Sequence, residues 1–131
     1  MRRAVDSLLP GGDDVEILIV DDGSTDATGQ IADDYARRYP GIVRAVHKEN
    51  GGHGDAVMTG LANATGLYFK VVDSDDWVDA QAYPRVLEVL RGFTDAPIDM
   101  LVSNYIYDKV GAAHHHITSY VHALPQGRVF G

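Results

Sequence analysis

Residues 15–25 read VEILIVDDGST, a mostly apolar run followed by a polar turn. Residues 15–20 have the length and the β-branched composition of a buried strand, and the Asp-Gly pair that follows ends it. We expect Thr25 or Ser24 to cap a helix that the apolar spacing predicts over about 26–38, and Pro40-Gly41 to end it. This stretch therefore predicts a strand, a turn and a helix in succession.

The same alternation continues along the chain. After a first helix that ends near residue 9, the pattern predicts strands at 42–46, 67–72 and 98–103, helices at about 54–64 and 79–91, and edge strands within 104–121. Strands that alternate with single helices predict an α/β fold, with an open and mostly parallel sheet flanked by helices. Because the chain has 131 residues, of which 45% are hydrophobic, we expect one domain over 1–131.

Composition and charge narrow the classes of partner. The chain carries 11 Lys and Arg against 19 Asp and Glu, a net charge of −8, so we expect no nucleic acid among its partners. Acidic residues in pairs along the chain instead make a divalent cation the natural partner. The lack of cysteine excludes disulfides and thiolate chemistry.

The sequence also bears on location. It contains no apolar run of the roughly 20 residues that a membrane span needs, and it does not start with a signal-peptide core. We expect a cytoplasmic location, including the cytoplasmic face of a membrane, with any membrane association made by other parts of a longer parent chain.

Three polar motifs, at 21–24, 50–54 and 73–76, lie at the carboxyl ends of predicted strands. The carboxyl ends of parallel strands border one crevice, where ligands of such sheets bind. Asp73 and Asp75 could hold Mg²⁺ or Mn²⁺, with the oxygens of a diphosphate completing the coordination shell. The alternative is a turn whose Asp side chains cap the next helix. Two neighbouring acidic strand ends favour the cation site, since turn chemistry alone does not explain four crowded carboxylates.

The glycine-rich loop at 50–54 precedes a predicted helix. Its backbone amides would lie at the helix N-terminus, where the partial positive charge attracts phosphate, although glycine equally serves only to turn the chain. His53 in this loop either contacts a phosphate or a leaving group, or is an exposed loop residue. For His114-His115-His116 we expect no dedicated metal site, because a strand would direct alternate side chains to opposite faces.

Taken together, three segments resemble the successive signatures of family 2 glycosyltransferases. They are Val20 to Asp26, Asn50 to Ala56 with Gly60, and Val72 to Trp77. The resemblance covers roughly residues 4–108. It implies the GT-A fold and an inverting transfer of sugar from a nucleotide-sugar donor to a saccharide or other acceptor hydroxyl. Such a transfer usually uses a divalent metal, and polysaccharide biosynthesis is one process that it serves.

The resemblance also implies roles for individual residues. Asp21 and Asp22 match the acidic pair that contacts the base and the ribose, while Asp73 and Asp75 match the DxD motif near ribose, metal and diphosphate. The implied donor-binding set is Asp21, Asp22, Asn50, Gly52, Asp73, Ser74 and Asp75, with Asp73 and Asp75 as metal ligands. One departure is Met58, which stands where the family commonly has Asn two residues before Gly60.

Other parts of the family pattern have no counterpart in this sequence. The family begins with an apolar strand that ends in a Pro-x-Tyr-Asn type motif, and this chain starts in the helix that would follow. The carboxylate that deprotonates the acceptor normally lies beyond Gly131, and no Asp or Glu follows Asp108. The catalytic base is therefore unassigned, and we expect donor and metal binding without sugar transfer from this segment.

Two alternatives come from other classes of protein. A non-catalytic nucleotide-binding or interaction module would keep the fold without the chemistry. A phosphoacceptor receiver domain also gathers acids at strand ends around Mg²⁺, but it needs a lone acceptor Asp and a late-strand Lys. It would not account for the glycine loop or for residues 73–77.

Overall fold

The computed structural model describes residues 1–108, 116–124 and 127–129. It divides the chain into two compact units, residues 1–92 and residues 93–131. The first unit contains α1 (Arg2–Leu8), a 3-10 helix (Leu9–Asp14), β1 (Ile17–Asp22), α2 (Thr28–Arg38), β2 (Val43–Lys48), α3 (His53–Asn63) and α4 (Ala82–Arg91). The second contains β3 (Tyr105–Tyr107) and β4 (His116–Thr118). A single domain over 1–131 stays a prediction.

The centre of the first unit is a parallel pair of strands. β1 and β2 run side by side with Ile17 opposite Val43 and Asp22 opposite Lys48. Because side chains alternate along a strand, one face of β1 turns its apolar residues toward α1 and α2. The buried apolar core consists of Val5, Ile17, Ile19, Ala32, Tyr35 and Val43. This packing confirms an α/β fold with a parallel sheet flanked by helices.

The helix between these strands begins two residues later than its pattern predicts. Asp26 Oδ1 accepts a hydrogen bond from the Thr28 amide at 2.9 Å in the turn before the helix. The N-cap residue is Ala27, so the predicted capping by Ser24 or Thr25 is wrong. Buried Tyr35 donates its hydroxyl hydrogen to Asp6 Oδ1 at 2.7 Å and ties α2 to α1. This strand, helix and strand unit therefore places the ends of β1 and β2 next to each other.

Two predicted strands are wrong. Residues 67–72 and 98–103, all within the described part of the chain, form no strand. Leu67, Phe69 and Val71 remain 57%, 43% and 39% exposed. Their composition favours a strand, but strand formation depends on hydrogen bonds to a neighbouring strand, which composition does not specify.

In the second unit, two strands are present among the described residues of the predicted range 104–121, but they are not edge strands of the parallel sheet. β3 and β4 form a sheet of their own, an antiparallel pair in which Ile106 lies opposite Ile117. β4 begins at His116, whereas His114 and His115 lie outside the described residues. None of the helices in the described ranges is long and apolar enough to cross a membrane.

Candidate functional site

Asp21 lies at the carboxyl end of β1 and is buried, with 7% of its surface exposed. Its Oδ1 accepts a hydrogen bond from the Ser24 amide at 3.1 Å, and its Oδ2 lies 3.0 Å from His47 Nδ1. These hydrogen bonds from Ser24 and His47 hold the pKa of Asp21 below its ordinary value. Asp21 is therefore an ionised, fixed acceptor at the strand end.

His47 lies opposite Asp21 in the parallel register, at the end of β2. Its second ring nitrogen, Nε2, lies 2.9 Å from Asp33 Oδ1 on α2. The two carboxylates, Asp33 first and Asp21 second, raise the pKa of His47. One imidazole thus links both strands of the sheet to the helix between them.

The neighbouring Asp22 connects β1 to the glycine-rich loop. Its Oδ1 accepts from the Gly51 amide at 2.9 Å and its Oδ2 from the Gly52 amide at 2.7 Å. Lys48 Nζ lies 2.5 Å from Asp22 Oδ1 and 2.6 Å from Asp55 Oδ2. Lys48, followed by the two amides, lowers the pKa of Asp22. In this structure the anion at the loop amides is therefore the carboxylate of Asp22.

Glycine is required where the turn after β1 meets this loop. Gly23 has φ +71°, and a Cβ on it would lie 2.7 Å from the backbone nitrogen of Asn50. Gly52 has φ +86° and precedes the first residue of α3, the exposed His53. L residues with a side chain rarely adopt these φ values, so both positions favour glycine. The two glycines let the turn after β1 approach the loop closely, which places Asn50 and Gly52 beside Asp22.

The acidic segment after residue 72 is a separate turn. The Asp76 amide donates to the Asp73 carbonyl at 3.0 Å, and Asp73, Ser74 and Asp75 are exposed. In the turn before α4, Asp79 Oδ1 accepts from the Gln81 and Ala82 amides at 2.9 and 2.8 Å, while the N-cap residue itself is Gln81. The acid that bonds amides at the start of the helix is therefore Asp79, and Asp73 and Asp75 remain at the surface.

Contacts with α1 hold the residues that follow this turn. The guanidinium carbon of Arg3 lies 3.1 Å from the centroid of the Trp77 ring, a cation–π contact. The Val78 amide donates to Ser7 Oγ at 3.1 Å. The acidic turn is therefore anchored at its carboxyl-terminal end.

Within the described residues, no three or more Asp, Glu or His side chains are arranged to hold a metal ion. The structure thus unites Asp21, Asp22, Asn50 and Gly52, and it does not join Asp73 and Asp75 to them as one metal-binding group. Crowding of the first acidic pair is relieved by His47 and Lys48. The carboxylate oxygens of Asp73 and Asp75 are of the type that binds a hard cation, but other ligands would have to complete its coordination shell.

A shallow depression of about 300 Å³ lies at the other end of the strands. Its lining includes Glu16, Arg44 and Thr65, and Glu16 is already bonded to both of the others. It lies at the amino ends of β1 and β2, whereas Asp21, Asp22 and the glycine loop lie at their carboxyl ends. The motifs therefore define the candidate site better than the depression does.

The chain matches the family model described as Glycosyl transferase family 2 over residues 1–126. It belongs to that family. This family 2 chain is 40% identical over 89 residues to the uncharacterized glycosyltransferase EpsJ of Bacillus subtilis (strain 168), a match covering 67% of this chain and 26% of EpsJ. It is 36% identical over 106 residues to the glycosyltransferase GlyA of Streptococcus pneumoniae serotype 4, covering 80% of this chain and 15% of GlyA.

A third relative of this family 2 chain is the uncharacterized glycosyltransferase YibD of Escherichia coli (strain K12). The two are 43% identical over 76 residues, which is 58% of this chain and 21% of YibD. In each of these matches the chain spans less than a third of the relative's length. Family membership confirms the resemblance drawn from the three motifs and argues against the receiver-domain alternative.

The sequence patterns alone did not identify Lys48 and His47 as partners of the acidic pair. The register of β1 and β2 places them opposite Asp22 and Asp21. A signal was present, because each of the two predicted strands, 15–20 and 42–46, is directly followed by two titratable residues. Aligning the two strand ends in parallel would have paired the acids with the bases.

Proposed function

We propose that this family 2 chain is the donor-binding part of an inverting glycosyltransferase, which transfers sugar from a nucleotide-sugar donor to a saccharide or other acceptor hydroxyl. The proposal depends on one observation: Asp22 accepts hydrogen bonds from the Gly51 and Gly52 amides, which joins the end of β1 to the glycine loop. Such a crevice beyond the strand ends is where α/β sheets bind ligands. We propose that the reaction takes place in the cytoplasm or at the cytoplasmic face of a membrane, and that it serves polysaccharide synthesis.

In this proposal Asp21 and Asp22 serve the nucleoside. An ionised carboxylate only accepts hydrogen bonds, so it suits the N–H of a base or the hydroxyls of a ribose. Asp22 also keeps the glycine loop in place, with Asn50 and Gly52 forming the loop wall of the pocket. Fixed acceptors lose little entropy when a ligand arrives, which favours binding.

The exposed acidic turn serves the diphosphate. Asp73 and Asp75 would hold Mg²⁺ or Mn²⁺, with Ser74 between them and phosphate oxygens completing the coordination. The bound ion would neutralise the charge on the departing nucleoside diphosphate. We assign the general base to no residue of this chain.

The test is a calorimetric and thermal-shift screen of nucleoside diphosphates with and without Mn²⁺. Ligand at about a hundred times its dissociation constant should stabilise the fold by about 2.7 kcal/mol. Asp75→Asn should remove the dependence on metal, whereas Asp95→Asn, an exposed acid outside the three motifs, should not. Equal metal-supported binding by Asp75→Asn would refute the metal assignment.

Transfer is measured separately, with a panel of nucleotide sugars and simple acceptors, on this chain and on its parent protein. Inversion is read from the anomeric configuration of the product. Nucleotide binding without any transfer by the parent would favour the non-catalytic alternative. Transfer with retention would contradict the inverting mechanism.

A further inference from the structure

The imidazole of His47 faces a carboxylate at each ring nitrogen. Nδ1 lies 3.0 Å from Asp21 Oδ2, and Nε2 lies 2.9 Å from Asp33 Oδ1. These carboxylates come from different elements, β1 and α2. The ring therefore bridges the proposed nucleoside acceptor and the surface of the helix beside it.

The protonation state follows from the hydrogen-bond inventory. An ionised carboxylate offers only acceptors, and a neutral imidazole has a single N–H donor, so it satisfies one of the two contacts. Imidazolium has two donors and satisfies both. Because Ser24 and His47 keep Asp21 acidic, the extra proton belongs on the ring and not on the Asp21 carboxyl.

Packing makes this bridge close-fitting. A Cβ on Gly29 of α2 would lie 2.7 Å from Asp21 Oδ2 and 3.5 Å from His47 Cε1. The backbone of α2 thus lies directly over the Asp21 and His47 pair. Asp21 therefore has little room to reorient while the bridge is intact.

We propose that His47 is a positioning residue for donor binding, whose protonated ring fixes the Asp21 carboxylate against α2 and whose deprotonation weakens nucleotide binding. This inference rests on the proposed function, because it assumes that Asp21 contacts the nucleotide. Loss of the proton breaks one of the two contacts. It also removes the positive charge of the ring, which lies on β2 and attracts both Asp21 on β1 and Asp33 on α2.

Other charged groups nearby do not substitute for the ring. Asp26, before α2, adds negative charge near Asp21. Lys48, the next residue along β2, bonds Asp22 and Asp55 instead. Nucleotide affinity should therefore follow His47, whose two carboxylates keep it protonated to a higher pH than an ordinary histidine.

The experiment measures binding of a nucleoside diphosphate by the 131-residue chain from about pH 5.5 to about pH 9, alongside NMR titration of the imidazoles. Binding by the unmodified chain should weaken about 2- to 10-fold as His47 deprotonates, the range expected for one lost hydrogen bond. His47→Gln should bind with little dependence on pH. His122→Gln, an exposed histidine of the other unit, should keep the unmodified profile.

Asp33→Asn provides a rescue that a purely structural role would not produce. An Asn amide can donate to Nε2 while the neutral ring donates from Nδ1 to Asp21, so both contacts survive without imidazolium. This variant should lower the pKa of His47 and retain tight binding at high pH. It also keeps the test decisive if His47→Gln folds poorly.

The outcomes separate this inference from the function on which it rests. A pH profile that is flat in the unmodified chain, or unchanged in both His47→Gln and Asp33→Asn, overturns the inference and leaves the proposed function intact. Absence of nucleotide binding at every pH overturns the proposed function, and the role of His47 in binding falls with it.

Discussion

The two acidic motifs of this chain, at the end of β1 and in the turn at 73–76, differ in how the protein compensates their charge. Asp21 and Asp22 are bonded to His47, Lys48 and backbone amides, so their negative charge is balanced within the fold. The acidic turn that contains Asp73 and Asp75 is exposed and lies outside this network. Similar acidic sequence motifs therefore give one preorganised set of acceptors and one open acidic turn.

The largest effect is expected where the first motif depends on glycine. Gly23→Ala should lower the free energy of unfolding by about 2 kcal/mol, because its φ of +71° and the 2.7 Å approach to Asn50 leave no room for a Cβ. Thermal unfolding and nucleotide binding should both suffer. Gly41→Ala is the matched control, since a Cβ there meets nothing within 4 Å. Equal losses in both variants would show that the loop contact is unimportant.

A smaller effect should come from the carboxylate that holds the glycine loop. Asp22→Ala should weaken nucleotide binding about tenfold with or without Mn²⁺, since charge-assisted hydrogen bonds to Lys48, Gly51 and Gly52 are lost. Calorimetry measures the change. Asp26→Ala is the comparison, because Asp26 bonds the Thr28 amide at the start of α2. If only Asp26→Ala weakens binding, the acidic pair is merely a turn.

The anchor of the second motif should matter less. Arg3→Ala should cost about 0.5 to 1 kcal/mol of stability, the usual worth of an exposed cation–π contact, here with Trp77. Metal-supported nucleotide binding should weaken more than metal-free binding, because the acidic turn loses its anchor. Arg85→Ala on the exposed side of α4 is the control for loss of charge. If Arg3→Ala weakened nucleotide binding equally with and without metal, the two acidic motifs would not have separate roles in binding nucleoside and metal.

The smallest effect concerns stability and pH. His47 has a raised pKa in the fold, so its contribution is complete below the ordinary value of 6.5 and is lost as pH rises through the raised value. Asp21 has a lowered pKa, so its contribution is complete above 3.8 and is lost as pH falls through the lowered value.

The melting temperature should therefore fall by about 1 to 2 °C on the alkaline side, because His47 is half exposed and solvent screens the pair. Thermal unfolding at about pH 6 and about pH 9 measures the difference. His47→Gln should remove this alkaline step, and His122→Gln should not. An alkaline step of the same size in His47→Gln would assign it to another group.

Prediction of the fold succeeded where the controlling interactions were local. The strand and helix from residue 15 to residue 38 are present, with the strand displaced by two residues and the helix beginning two residues later than predicted. The Asp26 side chain holds a turn at Thr28 just before α2. The strands predicted at 67–72 and 98–103 failed, since apolar composition does not supply a partner strand.

Residue type and periodicity were enough to predict the α/β class, and the three motifs were enough to show the resemblance to family 2 glycosyltransferases. Which of these groups meet depends on the tertiary structure. The parallel register places His47 beside Asp21 and Lys48 beside Asp22, and Gly23 allows the glycine loop to reach β1. Contacts between residues 26 to 30 positions apart depend on how two strands align, and residue type does not encode that alignment.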